Sequence, residues 1–248
     1  MANRWLAFRM LKIYHLRMLD NIDFEVPEFW DALPQHIQKE LAKIAVLKFY
    51  SDGQLIHSRG DDKPGLSIVK SGAVKVGTYG VNGDFLATAI IGSGHVFGEF
   101  TLFAGLPRTH DVSAVGSAEI YQVPKSGFMK LFETHREILQ ALFVTTLHRS
   151  HALLERMDDM RRLPLDVQAA KLIFSIAARV DRGGFIQMRQ IELAYMLGVS
   201  RVSIGKALKD LEKLKLIELG YGQIAILDFE KLDQWIEKHS AIMRLKSI

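Results

Sequence analysis

The chain contains no cysteine in 248 residues, which excludes disulfides, thiolate zinc sites, cysteine-ligated iron–sulfur clusters and thiol redox sensing. No apolar run approaches the roughly eighteen residues that a membrane span needs. The apolar N-terminus is interrupted by Arg9, Lys12, His15 and Arg17, unlike the core of a secretory signal, so a cytoplasmic protein with no membrane partner is expected. His57, His95 and His110 are scattered. His148 and His151, three apart on one helix face, read as a solvated or interfacial pair before they read as ligands, and no metal site is expected. No nucleophile, base and orienting group form a set, and no catalytic site is expected. Net charge is also low, at +4. It is unevenly placed: residues 1–161 hold 18 basic and 18 acidic side chains, whereas 162–248 hold 14 and 10. A basic C-terminal third suits phosphate neutralisation, although a surplus of four would not identify a nucleic-acid binder unaided.

What the chain does have is residues 190–214, QIELAYMLGVSRVSIGKALKDLEKL. Leu193, Ala194 and Leu197 fall at helical spacing on one face, and the small Ala194 lets a second helix cross closely. Gly198 closes the first helix in a left-handed conformation, and Ser200 caps the next. The second helix then starts at Arg201, with Ile204, Ala207, Leu208, Leu211 and Leu214 as its core stripe. Arg201, Val202, Ser203, Gly205, Lys206 and Lys209 are left outside that stripe. A helix-turn-helix presents such a face, short-chained and basic, to a major groove. An αα-hairpin with a merely solvated lysine face has the same local pattern. The following LKLIELGYGQIAILD favours the first reading: two short apolar runs, 216–219 and 224–227, flank a Gly-Tyr-Gly turn and make a β-hairpin, hence a winged helix.

Upstream, residues 1–27 are an N-terminal extension whose Trp5, Leu6, Phe8, Leu11, Ile13 and Leu16 suit an amphipathic helix. Helical spacing runs from Pro27 to Val46. From Leu47 to about Pro124 the pattern is one of short strands broken at Asp52-Gly53, Gly60-Asp61, Ser71-Gly72, Asn82-Gly83-Asp84 and Gly92-Ser93-Gly94, with LSIVK, AVKVGTY and FLATAII as separate strands. This predicts an antiparallel roll or barrel able to hold one ligand. Helical spacing returns over 126–135.

Residues 136–161 read as one long helix, with Leu139, Phe143, Leu147, Ser150, Leu154 and Met157 on one face at steps of three and four. That is a coiled-coil seam, and it predicts a homodimer. Packed against its mate, such a helix would set two recognition helices about 34 Å apart on a palindrome. Arg162-Leu163-Pro164 breaks the pattern and marks a hinge. A further helix over 165–180, a turn at Asp181-Arg182-Gly183-Gly184 and a short strand over 185–188 lead into the helix-turn-helix.

The segment GSGHVFGEFTLFAGLPRTHDVSA, from Gly92, carries the candidate ligand chemistry. Gly98 allows close backbone approach, Glu99 can accept from a hydroxyl, and Arg108 is a forked cation suited to a phosphate. Residues between them would form a helical turn with free amides. A dinucleotide-loop reading fails, since the third glycine comes late and no βαβ unit surrounds it.

This order of β roll, Phe-Gly-Glu segment, arginine, long helix and winged helix-turn-helix resembles the cyclic AMP receptor and fumarate–nitrate regulator (Crp/Fnr) family of bacterial transcription factors, over about residues 28–235. The resemblance implies an α+β chain: a cyclic-nucleotide-binding-like β roll (double-stranded β-helix) at 28–135, a dimerisation helix and hinge at 136–162, and a winged helix-turn-helix at 163–248. It implies ligand contacts from Gly98, Glu99, Phe100, Arg108 and Thr109, the acid on a ribose and the Arg-Thr pair on a cyclic phosphate. The chain departs from the pattern at His110 and Asp111, where an imidazole crowds the pocket and a carboxylate is placed to neutralise Arg108. A structural version of the segment, with Glu99 and Arg108 paired to each other or to backbone, also fits the fold. Three readings stand: a cyclic nucleotide, another small ligand, or none. Purine contacts from the long helix would fall to Thr145, Thr146 or Ser150.

In the DNA-binding half the resemblance places base reading on Arg201, Val202 and Lys206. Arg201 would take a guanine, and Val202, where cyclic AMP receptors carry glutamate, would touch a thymine methyl. Gln190, Ser200, Ser203 and Lys209 are assigned to phosphates. The expected partners are double-stranded DNA, a second copy of the chain and, for an activator, RNA polymerase. The rival reading is a cyclic-nucleotide-responsive module acting through a protein partner.

Overall fold

A computed structural model describes residues 28–80, 83, 85–179 and 184–240. The expected N-terminal amphipathic helix, Asn82 and Asp84 of one expected turn, and Asp181, Arg182 and Gly183 of another lie outside the described residues.

Helix α1 (Gln35–Ile44) is shorter than the helical spacing from Pro27 suggested. Pro34 occupies its N-cap position, and a proline there pushes the residue before it out of helical geometry. Residues 29–33 therefore form turns.

The β roll follows as β1 (Val46–Tyr50), β2 (Leu55–His57), β3 (Gly65–Tyr79), β4 (Phe85–Gly92), β5 (Val96–Phe97), helix α2 (Glu99–Phe103) and β6 (Asp111–Pro124). Its sheet runs β1-β6-β3-β4, with β2 also on β6 and β5 on β3, all antiparallel. Two expected strands, LSIVK and AVKVGTY, are the single strand β3. The Ser71-Gly72 pair makes a bulge there, with the β6 register shifting on both sides of Ser71. Gly72 has φ +77, and a Cβ on it would lie 2.3 Å from the Ser117 carbonyl oxygen, so the strand bends there without ending.

Two cores serve this half. Val69, Val74, Phe97, Val112, Ala114, Ala118 and Ile120 fill the roll. Phe29, Leu33, Ile37 and Leu41 pack with Leu66, Ile68 and Val123 against Phe128, Ile138 and Leu142. Those last three belong to α3 (Lys125–Thr134) and α4 (Arg136–Arg162). Each such fully buried side chain contributes about 1.5–3 kcal/mol relative to exposure.

Helix α4 runs 27 residues and stops before Leu163, whose backbone is extended ahead of Pro164. Then come α5 (Leu165–Arg179), β7 (Phe185–Gln187), α6 (Gln190–Leu197), α7 (Arg201–Lys213), β8 (Ile217–Gly220), β9 (Gln223–Ile226) and α8 (Phe229–His239). The expected hairpin is part of a three-stranded sheet, ordered β7-β9-β8. Leu193, Ala194, Leu197, Ile204, Leu208 and Leu211 share a core with Ile173, Ile217 and Ile236. Leu214 departs from its expected core place: it caps α7 and is half exposed.

The third core crosses between the halves. Ala73, Phe85, Ala87 and Ile90 of the roll are buried in one cluster with the core of the C-terminal half, and β4 packs on α6 and α5. Among the described residues, no helix is long and apolar enough to cross a membrane.

Candidate DNA-reading surface and effector site

The helix-turn-helix has the geometry its sequence demands. Gly198 closes α6 at φ 66, ψ 30, a conformation costly for a residue with a Cβ. Ser200 then caps α7, its Oγ accepting from the Ser203 amide at 3.0 Å and lying 2.9 Å from the Ser203 hydroxyl. Both hydroxyls thus fix the start of the recognition helix, and both stay exposed. Arg201, Val202, Ser203, Lys206 and Lys209 all face solvent, Val202 at 84% exposure, while Ile204, Ala207, Leu208 and Leu211 face the core. Gln190, the first residue of α6, reaches across to α7: its Oε1 would lie 3.4 Å from a Cβ on Gly205. The seven residues named from sequence therefore gather at the two helix starts and along one face. No acid interrupts residues 201–209, and the free amides at the helix start add positive potential.

Helix α4 is two-faced. Ile138, Ala141, Leu142 and Thr145 turn inward and are buried. Leu139, Phe143, Leu147, Leu154 and Met157 form the opposite stripe, each about half or more exposed.

In the roll, Gly98 takes φ +98 as it leads into α2, and a Cβ there would sit 2.6 Å from the Gly65 carbonyl oxygen and 2.1 Å from Arg108 Nη1. Only glycine lets that guanidinium lie on the backbone. Thr101 fastens the segment, donating to the Gly98 carbonyl at 2.7 Å and accepting from the Gly65 amide at 3.3 Å. Arg108 is buried and donates through Nη2 to the Lys63 carbonyl at 3.0 Å. Among the described residues its Nε and Nη1, both buried, have no partner, and neither has Glu99 Oε2. Burial pulls the Arg108 pKa down, with the negative charges of Asp61 and Glu99 opposing. Beside it, His57 is pushed down to about 4 by burial and then by the Arg108 charge, and shares a 2.9 Å hydrogen bond between Nε2 and Ser67 Oγ.

Several sequence expectations change here. Glu99 and Arg108 do not bond to each other: Arg108 takes the backbone alternative, at the Lys63 carbonyl, and Glu99 Oε1 accepts from Arg149 Nη1 at 3.2 Å. Asp111 does not neutralise Arg108, because its Oδ1 accepts the Arg59 amide at 2.9 Å. His110 Nδ1 is hydrogen-bonded to Thr109 Oγ1 at 2.9 Å, so the hydroxyl expected on a phosphate is engaged locally. Phe100 is half exposed beside Glu99. Of the suggested purine contacts, Thr145 is buried, and Thr146 and Ser150 donate to the carbonyls four residues back, at 2.8 and 3.0 Å. The α4 residue that does reach the site is Arg149, which also donates to the Val96 carbonyl at 2.6 Å. Sequence reasoning missed it. An arginine on a helix with an apolar seam reads as surface, and only its place seven residues after Leu142 and four after Thr145, on the buried face, points inward.

Comparison with known proteins agrees with this geometry in both halves. The sequence profile of the cyclic nucleotide-binding domain matches residues 47–135, and that of the Crp-like helix-turn-helix domain matches 167–235. The chain is 28% identical over 190 residues to the HTH-type transcriptional regulator Cmr of Mycobacterium tuberculosis, covering 76% of this chain and 75% of that protein. It is 25% identical over 186 residues to the CRP-like cAMP-activated global transcriptional regulator of the same species, covering 73% and 83%. Among solved structures, FixK2 of Bradyrhizobium japonicum superposes with TM-score 0.64 at 18% identity, covering 81% of this chain and all of that one. A CRP/FNR-family transcriptional regulator of Thermus thermophilus does so with TM-score 0.64 at 21% identity, covering 78% and 100%. With both profiles in chain order, a β roll, a long helix and a helix-turn-helix whose basic face is free, the chain is a member of the Crp/Fnr family of DNA-binding transcription regulators.

Proposed function

We propose that the protein acts in the cytoplasm as a homodimer on an inverted repeat in double-stranded DNA, with Arg201, Val202 and Lys206 reading bases and Gln190, Ser200, Ser203 and Lys209 holding phosphates. The observation that carries this is the pairing of two free surfaces on one frame. The short-chained basic face of α7 is open to solvent, and the apolar stripe of α4 is open on the side away from its own chain. A second copy of α4 covers that stripe most economically, since a two-fold contact buries both at once. In this reading residues 28–135 sense, 136–162 dimerise and 163–248 bind DNA.

The roll is the effector domain. Two buried guanidinium donors and one buried carboxylate oxygen without partners among the described residues support a ligand that presents both an anionic oxygen and a hydroxyl, which a cyclic nucleotide does. The ligand residues are Gly98, Glu99, Phe100 and Arg108, with Thr109 behind them. One relative bears the name cAMP-activated. Control follows if the effector binds the DNA-competent arrangement more tightly than the other. An activator of this kind would also touch RNA polymerase.

Selection of duplexes from a random pool, with and without cyclic AMP or cyclic GMP, tests both halves. An inverted repeat is expected, with a yield that depends on nucleotide. Binding that keeps no sequence preference and does not weaken with salt would favour a module that acts through a protein partner.

A further inference from the structure

The four residues Arg108 to Asp111 are clamped at both ends by the turn that follows β2. The Gly60 amide donates to the Arg108 carbonyl at 2.7 Å, and the Arg108 amide donates to the Asp61 carbonyl at 3.0 Å. At the far end, buried Asp111 accepts the Arg59 amide through Oδ1 at 2.9 Å. With the backbone tied on either side, Thr109 and His110 change their contacts by turning their side chains. Both are half-buried, and their polar atoms meet each other: Thr109 Oγ1 and His110 Nδ1 share a hydrogen bond of 2.9 Å. On the preceding residue, Arg108 Nε and Nη1 are buried and without partners among the described residues. The segment thus sets two idle cationic donors next to a hydroxyl that is already engaged.

We propose that His110 is a specificity-determining residue of the effector site: it withholds the Thr109 hydroxyl from an anionic ligand, and so sets the affinity for a cyclic phosphate below what Arg108 and Thr109 would give together. The proposal rests on reading the Arg108 site as the effector site. A threonine hydroxyl has one hydrogen and two lone pairs. Where Nδ1 is the bare nitrogen of a neutral imidazole, that hydrogen goes to it, and the oxygen has only lone pairs left, which repel a phosphate oxygen. Where Nδ1 carries the hydrogen, the oxygen accepts it and is held at the ring. In either state the hydroxyl joins Arg108 on an anion at the expense of its contact with His110.

Calorimetry with cyclic AMP and cyclic GMP tests this on the full chain, on Thr109→Val, His110→Ala and His110→Leu, and on Thr109→Val combined with each change at 110. Leucine has about the bulk of histidine without its nitrogen, so it separates the hydrogen bond from crowding. A hydrogen bond to a charged phosphate is worth about tenfold or more in affinity. Both changes at 110 are therefore expected to tighten nucleotide binding by about tenfold. Thr109→Val is expected to cost less than about twofold beside His110, and about tenfold once His110 is replaced. Binding by His110→Ala where the wild type binds neither nucleotide supports the proposal as well, provided that Thr109→Val abolishes it. A Thr109→Val cost that is the same in all backgrounds overturns the proposal, as does tightening by alanine alone or weaker binding in His110→Ala. In those outcomes nucleotide still binds, and the effector reading stands. If no protein of the set binds nucleotide, His110→Ala included, both fall. Circular dichroism of each variant confirms that the fold is retained.

Discussion

Replacing Arg108 by methionine should leave the ligand-free protein as stable as before, or more stable, while abolishing effector binding. Among the described residues the buried guanidinium has one hydrogen-bond partner, the Lys63 carbonyl, and two donors without partners. Losing the one charge-assisted bond costs about 1.5–3 kcal/mol, and relieving each buried unsatisfied donor returns about 1–3 kcal/mol. The weakened field at Asp61 and Glu99 takes back part of that, though Glu99 keeps Arg149. Methionine fills much the same volume without a polar atom. The balance runs from about neutral to about 3 kcal/mol in favour of the variant. Urea unfolding followed by the fluorescence of Trp30, which stacks on Tyr121 in the sensor half at 5.5 Å, reads the midpoint. Calorimetry reads cyclic nucleotide affinity, which should fall at least about 100-fold when two charge-assisted bonds are removed. A structural arginine gives the reverse sign: stability falling by more than about 2 kcal/mol, with any ligand affinity intact. That result would refute the effector reading of the site.

Leu147→Asp, in the middle of the exposed stripe, should convert dimer to monomer. Each copy forfeits about 1.5–3 kcal/mol of apolar burial and gains a carboxylate in the seam, and sedimentation equilibrium that still shows a dimer would place the interface elsewhere. Lys209→Ala should weaken binding on all duplexes alike and lower the salt slope by about one phosphate contact, whereas Arg201→Ala should relax preference at one base pair by about 1–3 kcal/mol. His57 supplies a pH dependence. Its folded pKa of about 4 lies below the ordinary 6.5, so the unfolded chain takes up the proton first. Stability present above pH 6.5 is therefore lost as pH falls towards 4, by at most about 3 kcal/mol. His57→Gln should flatten that slope in denaturant titrations at a series of pH values.

Much of the fold was legible because the C-terminal half uses local rules. Gly198, Ser200 and the stripe of Ile204, Ala207, Leu208 and Leu211 state a turn, a cap and a core face within fourteen residues, and no distant contact overrides them. Leu214 escaped because stripe spacing continues past the point where the helix ends. In the roll, turn formers marked strand ends well except at Ser71-Gly72, where a bulge and a turn share the same residue chemistry and only the partner strand decides. The ligand segment was legible as a set of residues, Gly98, Glu99 and Arg108. Their surroundings were not: helix rotation brings Arg149 to Glu99, and strand register turns Asp111 away to the Arg59 amide, each across about fifty residues of chain. The burial of Ala73, Phe85, Ala87 and Ile90 against the C-terminal core left no sequence mark, because an apolar strand face reads alike whether it lines the roll or meets a neighbour.

That shared core bears on how such a chain is inherited. Strand β4 answers to two hosts at once, keeping register with β3 on its edges and matching α6 and α5 with its side chains. Exchanging the reading head for one from a distant cousin would strand Phe85 and Ile90 against an unmatched surface. Recombination at Pro164 therefore yields a sticky hybrid unless β4 is exchanged along with the head, and the two modules are bound to drift together.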